Sequence, residues 1–317
     1  MRYRTLGSSG LLVSVVGLGC NNFGRRLDVN GTRAVVDAAL EAGITLFDTA
    51  DIYGGRGASE SLMGEVLGAR RDQIVLATKW GHQTADMGYG PVAGSKGGRG
   101  YLKRAVTASL RRLRTDYIDL YQLHTPDPQT PIDETILALD ELITEGKVRY
   151  IGHSNFAGWR LADAEHVARE LGRNRFISAQ NEWSLLDRAA EADVVPAARH
   201  FGLGVLPFYP LANGLLTGKV RRGQDIPAGS RLADRASYVT DEKLDRAEAL
   251  IEWGDRQGAT LLEVAIGGLA ALPGCASVIA GATGPEQVKA NAAAGDWVPA
   301  PEQLAELDKI APPGEAA

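Results

Sequence analysis

The stretch YIDLYQLHTPDPQTPIDETILALDELITEGKVRYIGH, residues 117–153, contains a complete strand–helix–strand unit. Its two ends, YIDLYQL (117–123) and VRYIGH (148–153), are short apolar runs, as expected of parallel strands that are buried on both faces. The longer segment between them has the period of an amphipathic helix. Because parallel neighbours need a crossover connection, the stretch predicts a β-α-β unit.

The helix of this unit has sequence signals at both ends. Thr130 is a candidate cap, Pro131 suits the first helical position, and Asp133 completes a spacing like that of a capping box. Gly146 is typical of the residue that follows a helix. The apolar stripe between these ends consists of Ile136, Leu139, Leu142 and Ile143.

The same alternation of strand and helix occurs eight times along the chain. The strand candidates are VVGLG (15–19), ITLFD (44–48), IVLATK (74–79), YIDLYQL (117–123), VRYIGH (148–153), FISAQ (176–180), GVLPF (204–208) and SVIAG (277–281). The other segments of helical period are 31–42, 101–114, 158–171, 187–200, 241–257, 260–271 and 285–294. This pattern predicts an α/β fold, a single (β/α)8 TIM barrel spanning residues 1–317, rather than a doubly wound sheet.

Four further segments surround the predicted barrel. An N-terminal β-hairpin is expected from Tyr3–Leu6 and Leu11–Val15, which flank a Gly-Ser-Ser-Gly turn. Long loops, 80–100 and 217–240, follow the third and seventh barrel strands, and long loops in compact domains are usually functional or mobile. The tail after Ile310 is expected to be disordered.

Composition excludes several classes of protein. The formal net charge is −5 and the sequence pI is about 5.6, which argues against a nucleic-acid binder. Two cysteines, Cys20 and Cys275, without a Cys/His cluster support neither a disulfide framework nor a metal site. The sequence has neither a signal core nor a membrane-length apolar run, so we expect a soluble, cytoplasmic protein without a membrane partner.

Polar and aromatic residues follow the predicted barrel strands. Asp48 ends the second strand with Tyr53 shortly after it, Lys79 ends the third, and His124 follows the fourth. The active site of such a barrel lies at these strand ends. Each residue alone has an ordinary structural explanation, such as a turn cap or a surface lysine, but these explanations do not account for the shared location.

The same ends carry amide and hydroxyl side chains. Ser154 and Asn155 follow the fifth strand, and Gln180 ends the sixth. Ser154 and Asn155 could instead cap the next helix. Hydroxyl and amide groups of this kind suit a carboxamide, which offers one acceptor and two donors.

Together the first four residues suit carbonyl chemistry. A tyrosine with an ordinary pKa of about 10 needs help to donate a proton near neutral pH. A neighbouring lysine ammonium favours the phenolate, and a carboxylate keeps that lysine charged. A histidine can polarise the carbonyl. No side chain supplies a hydride, so a cofactor is required.

The motifs as a set resemble the aldo-keto reductases, including bacterial reductases and the β-subunits of potassium channels. The likeness covers nearly the whole chain. The motifs that carry it are FDTADIYGGRGASE (47–60), ATKWG (77–81), QLHTPD (122–127), HSNF (153–156), AQNEWSLL (179–186), LANGLLTGK (211–219) and SVIAGATGPEQVKAN (277–291).

The resemblance implies a role for each matching residue. Tyr53 is then the general acid, Lys79 lowers its pKa, Asp48 pairs with Lys79, and His124 orients the carbonyl. The implied cofactor-binding residues are Ser154, Asn155, Gln180, Phe208, Tyr209, Pro210, Leu211, Gly214, Lys219, Arg231, Gly281, Thr283, Gln287 and Asn291. The implied substrate pocket contains Asn22, Trp80 and Trp183, of which the tryptophans could equally be packing residues.

The implied cofactor is NADPH, with NADH as an alternative. Gln287 stands where many relatives have an arginine, Tyr209 where many have a serine, and Ala290 where a glutamate is common. Phe208 replaces a tyrosine or tryptophan, although a phenyl ring can still stack on nicotinamide. No strand–GxGxxG–helix unit of the Rossmann type is found.

The sequence leaves three functions open. The leading hypothesis is an NADP(H)-dependent reductase of aldehydes and ketones, acting as a monomer or small homo-oligomer on a small carbonyl substrate. A cofactor-sensing subunit of a membrane channel is the second. A lyase or isomerase on the same barrel is the third, but it would have no use for the three carboxamide-binding residues.

Overall fold

The computed structural model describes residues 1–227 and 230–314. It contains one two-stranded and one eight-stranded sheet. The strands are β1 (Tyr3–Thr5), β2 (Leu12–Ser14), β3 (Val16–Gly19), β4 (Leu46–Asp48), β5 (Val75–Trp80), β6 (Ile118–Leu123), β7 (Val148–Ser154), β8 (Ser178–Gln180), β9 (Gly204–Val205) and β10 (Val278–Gly281). All eight predicted barrel strands are therefore present.

The larger sheet is parallel throughout and curls so that its two ends meet. Its strand order is β10-β3-β4-β5-β6-β7-β8-β9. The amide of Ala276 donates to the carbonyl of Val205 over 2.8 Å, and that of Ile279 donates to Pro207 over 3.0 Å. These bonds join the segment of β9 to that of β10, an arrangement consistent with a (β/α)8 barrel.

The N-terminal hairpin packs against the interior of the curled sheet. Strands β1 and β2 pair antiparallel, as predicted. Leu6 and Val13 from this hairpin join a buried cluster with Leu46, Leu120 and Leu206 from or next to the barrel strands. The hairpin thus covers one end of the curled sheet and keeps these apolar residues away from water.

Helices connect the strands on the outside. They span Val29–Glu41, Ala58–Leu67, Arg99–Leu113, Ile132–Thr144, Gly158–Glu170, Val194–Phe201, Asp241–Gln257, Leu261–Glu263, Leu269–Ala271, Pro285–Ala294 and Pro301–Ile310, and a π-helical turn, Val264–Gly268, joins the two three-residue segments. Short 3-10 helices span Gly68–Gln73, Pro91–Ala93, Ala189–Glu191, Ala212–Thr217 and Ala233–Tyr238. None of the helices within the described residues has both the length and the hydrophobicity needed to cross a membrane.

Two helices were not predicted. Ala58–Leu67 begins after Gly57, which provides no side-chain cap. Pro301–Ile310 begins with a proline and has only one fully buried residue, Leu307. Both lack the strong cap and the long apolar stripe on which a sequence-based assignment depends.

Two predicted helices differ in their details. The helix after β6 begins at Ile132, and the Thr130 hydroxyl donates to Asp127 over 2.8 Å rather than capping the helix. The predicted helix 187–200 is interrupted at Asp193, whose carboxylate accepts from the amide of Gly158 over 2.7 Å. In the first case a local hydrogen bond within the loop replaces the predicted cap, and in the second a contact between distant segments interrupts the helix.

The two predicted long loops contain local structure. In the loop after β5, the Lys96 ammonium donates to the carbonyls of His82 and Gln83, each over 2.6 Å. In loop 217–240, residues 228 and 229 lie outside the described residues. The tail is described to residue 314, and residues 315–317 of the expected disordered tail lie outside the described part. Ala311 at its start is buried, and its carbonyl accepts from Arg188.

Candidate active site

A cavity of about 780 Å³ lies at the carboxyl ends of the barrel strands. It is the end of the sheet at which an active site was predicted. The predicted residues that line it are Asn22, Asp48, Tyr53, His124, Ser154, Asn155, Gln180, Phe208, Tyr209, Pro210, Leu211, Gly214, Lys219, Arg231, Gly281, Thr283, Gln287 and Asn291.

A buried ion pair between Lys79 and Asp48 lies next to Tyr53. Lys79 has no solvent exposure, and its ammonium donates to Asp48 Oδ2 over 2.6 Å. The same ammonium donates to the carbonyl of Thr49 over 2.9 Å and to Tyr53 Oη over 3.4 Å. The structure therefore brings the carboxylate, the ammonium and the phenol into one hydrogen-bonded unit.

Two glutamines hold the other oxygen of Asp48. Gln180 Nε2 donates to Asp48 Oδ1 over 2.9 Å, and Gln122 Nε2 reaches the same atom over 3.3 Å. Gln122 was missed because it lies within β6, one residue before its last residue, and not after the strand end. A buried polar residue within an apolar strand was the available signal, since such a residue needs a partner.

The pKa of Tyr53 differs in direction from the expectation. Burial raises the pKa of the Tyr53 phenol, and the Asp48 carboxylate adds to this effect. Lys79 acts in the opposite direction but does not outweigh them. The pKa of Lys79 is itself raised by Asp48 and Tyr53 despite burial, so its ammonium stays charged. The phenol is thus a protonated donor beside a fixed cation.

His124 stands on the other side of Tyr53. Their rings meet edge to face with centroids 5.8 Å apart, and His82 contacts His124 at 4.6 Å. Burial, Lys79 and His82 all hold the pKa of His124 well below its ordinary value. Its ring is therefore neutral near pH 7, and the Nδ1 atom has no hydrogen-bond partner among the described residues.

The hydroxyl and amide residues lie on the neighbouring strand ends. Ser154 Oγ donates to the carbonyl of Gln180 over 2.8 Å, and Asn155 Nδ2 donates to the carbonyl of His124 over 2.9 Å. The following helix begins at Gly158 after the cap residue Ala157. Ser154 and Asn155 are therefore not its caps, and both face the cavity.

Several positively charged side chains lie where the loop after β9 borders the cavity. The Arg231 guanidinium lies 5.4 Å from the centre of the Tyr209 ring and donates to Asn21 over 3.4 Å. Burial lowers the pKa of Arg231, and the neighbouring arginines Arg26 and Arg235 lower it further. A partly buried cluster of cations of this kind suits an anionic group such as a phosphate.

The segment after β10 lines the same cavity. The amide of Thr283 donates to Gln287 Oε1 over 2.8 Å, which ties the loop to the first turn of the helix Pro285–Ala294. Gln287 and Asn291 lie one turn apart on this helix and both face the cavity. Their side-chain amides line one end of the cavity.

Two predicted pocket residues are placed differently. Trp80 and Trp183 are fully buried and are not among the described residues that line the cavity. Trp80 stacks on Tyr121 at 4.4 Å, and Trp183 Nε1 donates to Glu191 over 2.8 Å. Both tryptophans are packing residues, which was the alternative explanation. His82, from the loop 80–100, and Ile52 line the cavity instead.

Comparisons with known proteins agree with this geometry. Residues 15–312 match the Aldo/keto reductase family. The chain is 43% identical to an uncharacterized oxidoreductase, YrpG, of Bacillus subtilis over 251 residues, 77% of this chain and 76% of that protein. It is 35% identical to a probable voltage-gated potassium channel subunit beta of Oryza sativa, covering 98% of this chain and 96% of that protein.

A third relative has a named activity. The chain is 32% identical to the L-glyceraldehyde 3-phosphate reductase of Escherichia coli K12, covering 99% of this chain and 94% of that protein. The family match, the relatives and the strand-end site lead to one conclusion. The chain belongs to the aldo/keto reductase family of oxidoreductases.

Proposed function

We propose that this chain reduces aldehydes or ketones to alcohols, with NADPH as the preferred cofactor and Tyr53 as the proton donor. The observation that carries the proposal is the contact of Lys79 Nζ with both Asp48 and Tyr53 at the wall of the large cavity. The positive charge of Lys79 at this position stabilises the negative charge that forms on the Tyr53 phenol as its proton leaves.

Each residue of the site then has a defined task. Tyr53 donates its proton to the carbonyl oxygen, and Lys79 stabilises the phenolate that remains. Asp48 keeps Lys79 charged and oriented. His124 is neutral, so one ring nitrogen can donate a hydrogen bond to the carbonyl oxygen without competing for the proton.

The residues around the cavity suit a nicotinamide dinucleotide. Ser154, Asn155 and Gln180 offer the donors and acceptors that a carboxamide needs. Phe208 offers a ring face for stacking. Arg231 with Lys219 offers positive charge for a pyrophosphate. When bound, this cofactor supplies the hydride that no side chain can provide.

The preference for NADPH is supported by the charge of the cavity. Arginines near Arg231 add to its positive potential, and a phosphorylated ribose carries more negative charge than an unmodified one. Because Gln287 is uncharged, we expect NADH also to be used. Measured dissociation constants for the two cofactors would settle the preference, and the Gln287→Arg variant should shift it further toward NADPH.

The proposal is tested by cofactor consumption. Purified protein should oxidise NADPH, followed at its absorbance band, when mixed with members of a broad aldehyde and ketone panel. Binding of NADPH alone, followed by its fluorescence, serves as the control for a folded site. Binding without turnover of any panel member would contradict the reductase proposal.

A second candidate function comes from the relatives named as channel subunits. The rice protein and a similar protein of Arabidopsis thaliana, 35% identical over 98% of this chain, are both named probable voltage-gated potassium channel subunit beta. In such a role the cofactor would be sensed rather than turned over. Capture of a potassium channel by the tagged chain, with turnover far below about one per second, the low end for enzymes, would favour this candidate.

A further inference from the structure

A second cluster of buried polar side chains lies behind the active site, on the face of the sheet that the helices cover. It contains Asp51, which precedes Tyr53 by two residues, and the phenols of Tyr101 and Tyr121. Tyr101 belongs to the helix Arg99–Leu113, and Tyr121 belongs to β6. The proposed mechanism uses none of these three groups.

Asp51 is the unusual member of this cluster. Its side chain has no solvent exposure, and neither carboxylate oxygen has a hydrogen-bond partner among the described residues. The backbone amide of Ile52 favours the charged carboxylate and lowers its pKa, although no hydrogen bond of ordinary geometry joins them. The hydroxyls of Tyr101 and Tyr121 are also buried and have no hydrogen-bond partner in the described part of the chain. Burial and then the charge of Asp51 raise the pKa of both phenols, so the three groups lie close to one another.

The backbone connects this cluster directly to the catalytic residues. The amide of Asp51 donates to the carbonyl of Lys79 over 3.0 Å, and the amide of Tyr53 donates to that of Ala50 over 3.1 Å. The turn formed by residues 50–53, here called the Tyr53 turn, is therefore held to β5 at Lys79. A movement of Asp51 would move Tyr53.

The neighbouring strands connect the cluster to the active site in the same way. Tyr121 stacks on Trp80, the residue after Lys79, and Tyr121 precedes Gln122, which donates to Asp48. Successive residues of a strand point to opposite faces of a sheet. The cluster and the catalytic residues therefore share strands while facing opposite sides.

The charged neighbours of Asp51 leave it without a dedicated partner. Glu60 accepts from Arg112 over 2.6 Å and from Thr78 over 2.6 Å, so the arginine's charge is already balanced. Burial, and then the charge of Glu60, raise the pKa of Asp51 to about 7, although Arg112 and Lys96 oppose them. Asp51 therefore changes its charge near neutral pH.

Tyr53, Lys79 and His124 do not titrate in this range. The pKa of His124 is held well below its ordinary value, and those of Tyr53 and Lys79 are raised. The other groups that face the cluster are Glu60 on the helix Ala58–Leu67, Arg112 on the helix Arg99–Leu113, and Asp86, Tyr89 and Lys96 on the loop after β5. Burial and Lys96 also lower the pKa of His82, which lies against His124, so His82 titrates at lower pH. A step near pH 7 that is lost in Asp51→Asn can thus be assigned to Asp51.

We propose that Asp51 is a positioning residue that holds the Tyr53 turn in its reactive place while neutral and displaces the turn when charged. The inference rests on the proposed role of Tyr53 as proton donor. A charged Asp51 is repelled by Glu60 and must seek solvent or Arg112, and either movement pulls on the Tyr53 turn. The reductase would then lose turnover as Asp51 ionises.

The pH profile of kcat/KM tests this inference. We expect kcat/KM of the wild type to fall on the order of tenfold as pH rises through about 7, since a misplacement of 1 Å can cost about a hundredfold. Asp51→Asn keeps the shape of the neutral carboxyl and should abolish this step. Asp86→Asn removes a nearby exposed carboxylate, which pairs with Arg56, and should keep the step. A step that persists in Asp51→Asn would overturn the inference.

A second measurement does not depend on turnover. Protein labelled with carbon-13 at tyrosine Cζ gives one signal per tyrosine, and Tyr53→Phe identifies the Tyr53 signal. That signal should shift with a midpoint near pH 7 in the wild type and not in Asp51→Asn. A Tyr53 signal with the same pH dependence in both proteins would rule out the coupling. If the Tyr53 signal shifts with the charge of Asp51 but the protein reduces no carbonyl compound, the proposed function is refuted while the coupling between Asp51 and Tyr53 stands.

A further variant guards against misfolding of Asp51→Asn. After burial, the charge of Glu60 is the strongest influence that raises the pKa of Asp51. Glu60→Gln removes this charge, so the midpoint of the Tyr53 signal should move to lower pH. An unchanged midpoint would show that Asp51 is not the titrating group.

Discussion

The ammonium of Lys79 lies 2.6 Å from the carboxylate of Asp48, and Lys79 is completely enclosed. Removing one partner of such a pair leaves an unbalanced buried charge, which typically costs about 3–5 kcal/mol. Lys79→Met should therefore lower the free energy of unfolding by about that amount, measured by urea denaturation. Lys103→Met breaks surface pairs with Glu141 and Glu145 and should cost no more than about 1 kcal/mol. Equal losses in the two variants would contradict a buried, structural role for the pair.

Tyr53→Phe separates binding from chemistry. The variant keeps the ring and its edge contact with His124 but has no proton to donate. We expect kcat to fall about a hundredfold or more, the usual scale for acid–base catalysis, with an unchanged NADPH dissociation constant. Retained turnover would mean that another group donates the proton.

Arg231→Met tests the proposed phosphate contact. Arg231 borders the cavity, and a charge-assisted hydrogen bond is worth about 1.5–3 kcal/mol, so the dissociation constant of NADPH should rise about tenfold or more. Arg222→Met is the matched control, because Arg222 lies in the same loop but pairs with Asp241 and Asp245 at the surface. Equal effects of both changes on binding would point to nonspecific loss of charge.

The buried side chain of His153 makes the free energy of unfolding depend on pH. It is fully buried against Phe156 and Phe176, neither ring nitrogen has a partner among the described residues, and burial lowers its pKa to about 3. Because an unfolded histidine has a pKa of about 6.5, the unfolded chain binds the proton first as pH falls. Stability is therefore lost progressively from about pH 6.5 down to about pH 3.

The measurement compares urea midpoints at pH 7.5 and pH 5. Between pH 7.5 and pH 5, the titration of His153 should lower the free energy of unfolding of the wild type by about 2 kcal/mol. The His153→Leu variant should not show this part of the decrease. His200→Leu changes an exposed histidine and should behave as the wild type does. An acid sensitivity that His153→Leu leaves intact would mean that other groups cause it.

Local sequence patterns were sufficient to predict the order of strands and helices and the strand ends that carry Asp48, Lys79 and His124. These features depend on periodicity within single segments, which a reader of the sequence can see. The two missed helices have weak caps, and the interrupted helix 187–200 follows from a contact of Asp193 with the neighbouring helix. Such contacts join segments that are distant in sequence.

The sequence by itself determined the repeated strand–helix order and the residue types at the strand ends, because these follow from local spacing. Only the tertiary structure decided that Trp80 and Trp183 face the core, that Gln122 holds Asp48, and that burial outweighs Lys79 in setting the pKa of Tyr53. The physical reason is that burial and electrostatic balance depend on which segments the folded sheet brings together, and neighbours along the chain do not specify that.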